Sequence, residues 1–388
     1  MNRLKKIAVI LLILVLSLNL FTACNNSKKT TMRDITSMEL VADMGLGWNL
    51  GNTLDALPDE TSWGNPKATD ELIKAVKDAG FKTVRIPITW IDHTGGAPDY
   101  EIDEDWMDRV EEVVGYVLDN DMYAIINIHH DGGNGISGMW LTPKESDFDE
   151  GIARFTKVWE QISERFKDYS DYLIFESMNE IHDNYKNPTE ENNDIIANFN
   201  QKFVDIVRQS GGNNAKRHLL VPGYNTNIEQ TIAGFVMPDD EIQDRISVSV
   251  HFYDPWTFTA QGENYTLEWG KSGQSVDTWG QEDWIDNIFS KLKVTYIDKG
   301  IPVIIGEYGA VVRAEEGHEQ FRRYYMEYVT KTAYDNGIMM VYWDNGYNGT
   351  KGEAFGLFNR SNNEQYHSEI IKAMVRASSG NEYEIELP

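Results

Sequence analysis

The stretch YLIFESMNE, residues Tyr172 to Glu180, begins as a buried strand and ends as a buried strand should not. Tyr172, Leu173, Ile174 and Phe175 suit a strand packed in an interior. The run then closes on an amide and a carboxylate, Asn179 and Glu180. A charge at the tip of a buried strand costs free energy unless something there uses it. Seven other runs share the design: MGLGWNLGN (44–52), FKTVRIPITW (81–90), MYAIINIHH (122–130), RHLLVPGY (217–224), RISVSVHFY (245–253), IPVIIGEYG (301–309) and GIMMVYWDNG (337–346).

Helical periodicity fills most of the gaps. Leu72, Ile73, Val76 and Ala79 form one apolar face, which Gly80 ends. Trp106, Val110, Val113, Val114 and Val117 form a second, and Phe155, Val158, Trp159, Ile162 and Phe166 a third. Tryptophans on such stripes belong to a core. Eight strand–helix units in a chain of 388 residues fit a single α/β domain, a (β/α)8 or TIM barrel. A doubly wound open sheet is the alternative. It would carry a glycine-rich phosphate turn after its first strand, and GLGWNLGN has the wrong glycine spacing.

Barrel enzymes place their chemistry at the C-terminal ends of the strands. Polar residues collect there: Arg85 on the second run, His129 and His130 on the third, Asn179 and Glu180 on the fourth, His251 and Tyr253 on the sixth. Glu307 follows on the seventh, and Trp343, Asp344 and Asn345 on the eighth. Glu180 and Glu307 are distant in sequence, yet closure of a barrel brings both to one mouth. Paired carboxylates across a cleft suit glycosidic cleavage: one protonates the leaving oxygen, and the other attacks the anomeric carbon or activates water. Arg85 is the candidate to keep a nucleophile ionised, and pairing with Glu176 inside the barrel is compatible with that role. Asn179 is placed to hydrogen-bond a sugar 2-hydroxyl, Tyr253 to donate to the nucleophile, and Trp343 to offer a flat apolar face. A metal is not expected. No strong ligand spacing is present, and adjacent strand residues such as His129 and His130 point to opposite faces.

These residues carry a likeness. GWNLGNTLDA, ETSWGNP, GFKTVRIPITW, NIHHDG, FESMNE, VHFYDPWTF, IIGEYGA and VYWDNG, spread collinearly from about Leu40 to Arg360, resemble glycoside hydrolase family 5, in particular its subfamily 4 endoglucanases. The resemblance implies a retaining (β/α)8 enzyme acting on β-linked glycans without a cofactor. By matching position it makes Glu180 the acid/base and Glu307 the nucleophile. Arg85, His129, Asn179, His251, Tyr253 and Trp343 match further site residues, and His130 a common sugar contact. Asn49 and Asn52 are then expected to bond sugars on the non-reducing side, and Trp63, Trp140 and Trp256 to line a glycan cleft. Ile181 stands where the family usually has proline, which would fix the backbone beyond the acid/base. The implied activity is an endo-β-1,4-glucanase acting on cellulose, mixed-linkage glucan or xyloglucan. A mannanase or xylanase on the same fold is the alternative within the chemistry. A glycan-binding lipoprotein without catalysis is the alternative outside it.

Hydrophobic residues make up 41% of the chain, enough for a large core. The formal charge of -27 disfavours nucleic acid as a partner. At the N-terminus, Arg3, Lys5 and Lys6 precede an apolar stretch from Ile7 to Leu20, and FTAC follows. This reads as a secretory signal over residues 1–23. Its end resembles a bacterial lipobox with Cys24 as the lipidated residue, although Phe21 replaces the usual leucine. An uncleaved anchor is the other reading. Export to the cell surface on a lipid at Cys24, or into the medium, follows as an expectation. Cys24 is the only cysteine, so no disulfide is expected. Residues 24–38 read as a polar tether, 39–380 as the catalytic domain and 381–388 as a trailing tail. The expected partner is a β-glucan, and the expected state a monomer.

Overall fold

The computed structural model describes residues 30–133 and 138–388. The signal segment, Cys24 and the first part of the tether lie outside the described residues. Among the described residues no helix is long and apolar enough to cross a membrane.

Eight parallel strands close into a barrel in sequence order: β1 Gly47–Asn49, β2 Thr83–Ile86, β3 Tyr123–Ile126, β4 Leu173–Glu176, β5 Leu219–Asn227, β6 Ile246–Phe252, β7 Val303–Tyr308 and β8 Met339–Tyr342. β8 returns to pair with β1, which leaves no sheet edge. The helices are α1 Ser37–Met44, α2 Asp70–Asp78, α3 Glu104–Asp119, α4 Glu145–Phe166, α5 Glu190–Gln209, α6 Ile228–Gly234, α7 Trp256–Thr259, α8 Glu282–Thr295, α9 His318–Asp335 and α10 Ser368–Ala377. The three apolar stripes named above face the barrel from α2, α3 and α4, with Trp106 and Trp159 buried in the core. Local chemistry sets the ends of α2. The Thr69 side chain accepts from Leu72 N–H, and Gly80 takes a φ of 111° that a residue with a Cβ rarely adopts.

Two-residue alternation separates the inner wall from the outer. Ala124, Ile126, Leu173 and Phe175 face the helices. Ile125, Ile174, Leu220, Ile304 and Val341 face inward, where α1 closes the floor with Leu40, Val41 and Met44. Thr36 and Glu39 cap α1 reciprocally, so this plug starts at a defined residue. One inward step toward the mouth, the wall changes character: Ile125 gives way to Asn127, Ile174 to Glu176 and Ile304 to Gly306. The barrel is therefore apolar at its floor and polar at its top.

The strands are shorter than the runs read from sequence. β2, β3, β4 and β8 stop at Ile86, Ile126, Glu176 and Tyr342, several residues before the motif residues that follow them. Backbone bonds between successive connections keep these segments in barrel register. His129 N–H donates to Ile88 O at 2.8 Å, Asn179 N–H to Ile128 O at 2.9 Å, and Trp343 N–H to Tyr308 O at 2.9 Å. Residues 381–388 form no helix or strand but are docked rather than trailing. The Tyr383 ring lies 4.9 Å from the Arg376 guanidinium and 5.6 Å from the Lys331 ammonium, and Ile385 packs against the core.

Candidate active site

The mouth is organised around Arg85, which projects from β2 and is fully buried. Its Nε donates to Glu176 Oε2 at 2.7 Å and its Nη1 to Glu307 Oε1 at 2.9 Å. The remaining reach goes to amide oxygens, Asn49 Oδ1 at 3.0 Å and Asn179 Oδ1 at 2.7 Å. Both sequence readings of Arg85 hold together: it pairs with Glu176 inside the barrel and with Glu307 at the mouth. Burial works against its charge, but Glu176 and Glu307 outweigh burial and hold the guanidinium protonated. Glu176 also accepts from Asn127 Nδ2 at 3.0 Å and Ser249 Oγ at 2.8 Å.

Glu180 and Glu307 meet at this mouth. Single side-chain ligand atoms of Glu180, His251 and Glu307 all lie within 4.8 Å of one another. The carboxylates differ in their partners. Glu307 takes Arg85 and the Tyr253 hydroxyl, which donates to Oε2 at 3.1 Å. Glu180 Oε1 lies 2.6 Å from His251 Nδ1, whose distance to Glu307 Oε2 is 3.6 Å. The Glu180 side chain is 31% exposed, against 8% for Glu307. Burial pushes both carboxyls up. At Glu180 the His251 hydrogen bond and charge outweigh burial, and the shift is downward. At Glu307 burial, helped by the Glu180 charge, outweighs His251 and Arg85, and the shift is upward. Burial, then the Glu307 and Glu180 charges, push the Tyr253 phenol well up, so it stays a donor.

His129, His130, Asn179, Tyr253, Trp256 and Trp343 join the two carboxylates in lining a cavity of about 680 Å³. Trp343 lies parallel to His129 with ring centroids 5.8 Å apart. Asn179 spends its oxygen on Arg85, which leaves its NH2 for the cavity. Trp63, 40% exposed, tilts against His130 at 5.3 Å. Asn52 is half-buried on the same side; its backbone N–H donates to Asp55 Oδ2 at 3.1 Å, and its carbonyl accepts from Asn65.

Three expectations change. Asn49 is fully buried: its oxygen accepts from Arg85, and its NH2 donates to Gly306 O at 2.8 Å and Tyr342 O at 3.2 Å. It holds Arg85 and has no group left for a sugar. Trp140 is buried under its own loop, with Nε1 donating to Asp131 Oδ1 at 2.8 Å. His129 and His130 do not diverge as strand neighbours would, because β3 has already ended. Their rings meet edge to face at 4.4 Å, and with Asp55 they bring possible ligand atoms within 4.8 Å of one another. The amide of Asn127 nevertheless blocks His129 as a ligand. Its oxygen accepts from Ile88 N–H, so its NH2 faces His129 Nδ1 at 3.2 Å and the ring proton falls on Nε2. Burial, then the charges of His130, Arg85 and His251, hold His129 neutral.

Ile181 supplies by packing what proline would supply covalently. It is buried against Gly132, where a Cβ would collide with Ile181 Cδ1 and lie 2.7 Å from Leu141 O. Its carbonyl accepts from Asn225 N–H at 2.9 Å.

A family model described as Cellulase (glycosyl hydrolase family 5) matches residues 50–349. The chain belongs to glycoside hydrolase family 5. It is 42% identical over 365 residues to Endoglucanase A of Paenibacillus barcinonensis, covering 89% of this chain and 91% of the relative. A broad-specificity endoglucanase of subfamily GH5-4 from Bacteroides salanitronis superposes with a TM-score of 0.86 at 44% identity, over 91% of this chain and 97% of that one. A family 5 xyloglucanase from Paenibacillus pabuli gives 0.85 at 42%, over 88% and 100%. In this glycoside hydrolase Glu307 lies near the end of β7, and Glu180 in the connection four residues beyond β4. The signals for Asn127, Ser249 and Asp55 were absent, because single polar residues inside strand or loop runs read equally well as structural.

His251 lowers both carboxyls, so its replacement should raise both. In His251→Gln the acid and alkaline limbs of the kcat/KM–pH profile are expected to move together to higher pH, with an activity loss of about tenfold or more. Profiles measured on a soluble oligosaccharide decide this; unmoved or acid-shifted limbs would contradict the electrostatic account.

Proposed function

We propose that this enzyme is an exported endo-β-1,4-glucanase that cuts internal bonds of β-glucans by retaining double displacement. The observation that carries the reading is the pair of carboxylates that bring one oxygen each within 4.8 Å and differ in their partners. Retaining enzymes hold their carboxyl groups about 5–5.5 Å apart, whereas inverting enzymes need about 6.5–9.5 Å to admit a water.

Glu307 forms the bond to the anomeric carbon as the glycosidic C–O bond breaks, and Glu180 gives its proton to the leaving oxygen. Glu180 then takes a proton from water; the water oxygen bonds to the anomeric carbon, and the bond to Glu307 breaks. The resting electrostatics run against the first step, since Glu180 is held down and Glu307 pushed up. A proton taken up by Glu180 from solvent, with His251 unchanged beside it, removes that carboxylate's repulsion of Glu307. Arg85 and Tyr253 touch only Glu307 of the two carboxylates, and then favour its anion. Asn179, its oxygen fixed by Arg85, presents its NH2 to the 2-hydroxyl of the reacting sugar.

The substrate class rests on the relatives. Those named above are endoglucanases and a xyloglucanase, and a xyloglucan-specific endo-β-1,4-glucanase of Bacteroides ovatus is 40% identical over 89% of this chain. A panel of cellulose, mixed-linkage glucan, xyloglucan, mannan and xylan tests the reading. Turnover of the β-1,4-glucans is expected, with β-configured first products and a loss of about a hundredfold or more in Glu180→Gln. Binding without release of reducing ends would leave a glycan-binding protein, and α-configured first products would exclude retention. Export and anchoring rest on Arg3, Lys5, Lys6, the apolar run and Cys24. Labelled fatty acid is expected in the wild type and not in Cys24→Ser; equal labelling would refute the anchor.

A further inference from the structure

The connection after β4 does more than present Glu180. Asn184 and Tyr185 both lie in the left-handed region, with φ of 52° and 54°. Two successive residues with side chains in that region, one of them bulky, store strain that surrounding contacts must hold. Those contacts are present. Asp183 N–H donates to the Tyr224 hydroxyl at 2.7 Å, and the Asp183 carboxylate takes Lys144 at 3.0 Å and Lys186 at 3.2 Å. Tyr185 N–H donates to His182 Nδ1 at 3.1 Å.

The result is a stacked pair. The His182 ring is buried, and the Tyr185 ring lies on it with centroids 3.8 Å apart and planes 26° from parallel. Tyr185 is 68% exposed, an unusual state for a ring held this firmly. It lines the same cavity as the two carboxylates, and burial together with the Glu180 and Glu353 charges pushes its phenol up. A core role would bury Tyr185, and a random surface residue would not need a strained, braced backbone.

Its position on the loop gives the strain a purpose. The acid protonates the leaving oxygen, so the leaving sugar must lie along the Glu180 side of the cleft. Tyr185 follows Glu180 by five residues and is the more exposed of the two cavity-lining residues. We propose that Tyr185, propped on His182, is the platform for the sugar second from the scissile bond on the leaving-group side. It thereby biases which bond of a short chain is cut. This rests on the retaining endoglucanase reading. A sugar's C–H face packs on an aromatic ring without directional bonds, so the platform accepts any β-1,4-glucan backbone.

Cleavage of cellopentaose carrying an 18O label at its reducing end tests the proposal. Failure of the wild type to cut this substrate would overturn the enzyme reading itself. With a cutting wild type, Tyr185→Ala is expected to move cleavage toward the reducing end, lowering by about tenfold the ratio of products that had two sugars on the leaving side to those that had one. Tyr185→Trp should keep the wild-type pattern. An unchanged pattern in Tyr185→Ala, or the same change in Tyr185→Trp, would overturn the platform. Because the ring is exposed, the thermal midpoint of both variants should match the wild type, which separates the effect from misfolding.

Discussion

A guanidinium sealed inside the barrel sets the terms for the entire mouth. Arg85 has no access to water, and an unpaired cation there would cost several kcal/mol, on the order of the stability of a domain. It is tolerated because Glu176, Glu307, Asn49 and Asn179 take its N–H groups from four directions. The dependence is mutual. Glu176 and Glu307 would be buried anions without it, and the side-chain oxygens of Asn49 and Asn179 would lose their donor. One charge thus ties β1, β2, β4 and β7 together at the level where the chemistry takes place.

The layer beneath makes that arrangement rigid. On β3 and β4 the inner wall passes from isoleucine at the floor to asparagine and glutamate two residues higher, so these polar groups stand on a packed base. Above them the two carboxylates diverge in setting. Glu307 is sunk among fixed donors, while Glu180 is nearer solvent and shares a short contact with His251. Environment, more than residue type, separates an attacking carboxylate from a proton-carrying one.

The barrel was legible because its rhythm is long-range and repeated. Eight apolar runs with helical stripes between them leave few ways to bury every face, and the strand-end residues marked the mouth. Strand lengths were less legible, since motif residues continue an apolar run while already belonging to loops. That is why the alternation rule misplaced His129 and His130. Asn49 and Trp140 misled for another reason. Both residue types serve as sugar contacts and as structural partners, and only Arg85 and Asp131 decide which. The Tyr185–His182 pair had no signature, because it depends on two left-handed residues that sequence does not announce. Ile181 shows the reverse case: a missing proline is replaced by packing on Gly132, a contact between separate loops.

The central claim is that Arg85 and Tyr253 make Glu307, not Glu180, the atom donor to the anomeric carbon. A 2-deoxy-2-fluoro cellobioside with an activated leaving group slows the second step and traps the covalent intermediate, which peptide mass mapping can locate. The account predicts one glycosyl unit on the peptide containing Glu307. A label on the peptide containing Glu180, or turnover with no covalent label at all, would contradict it.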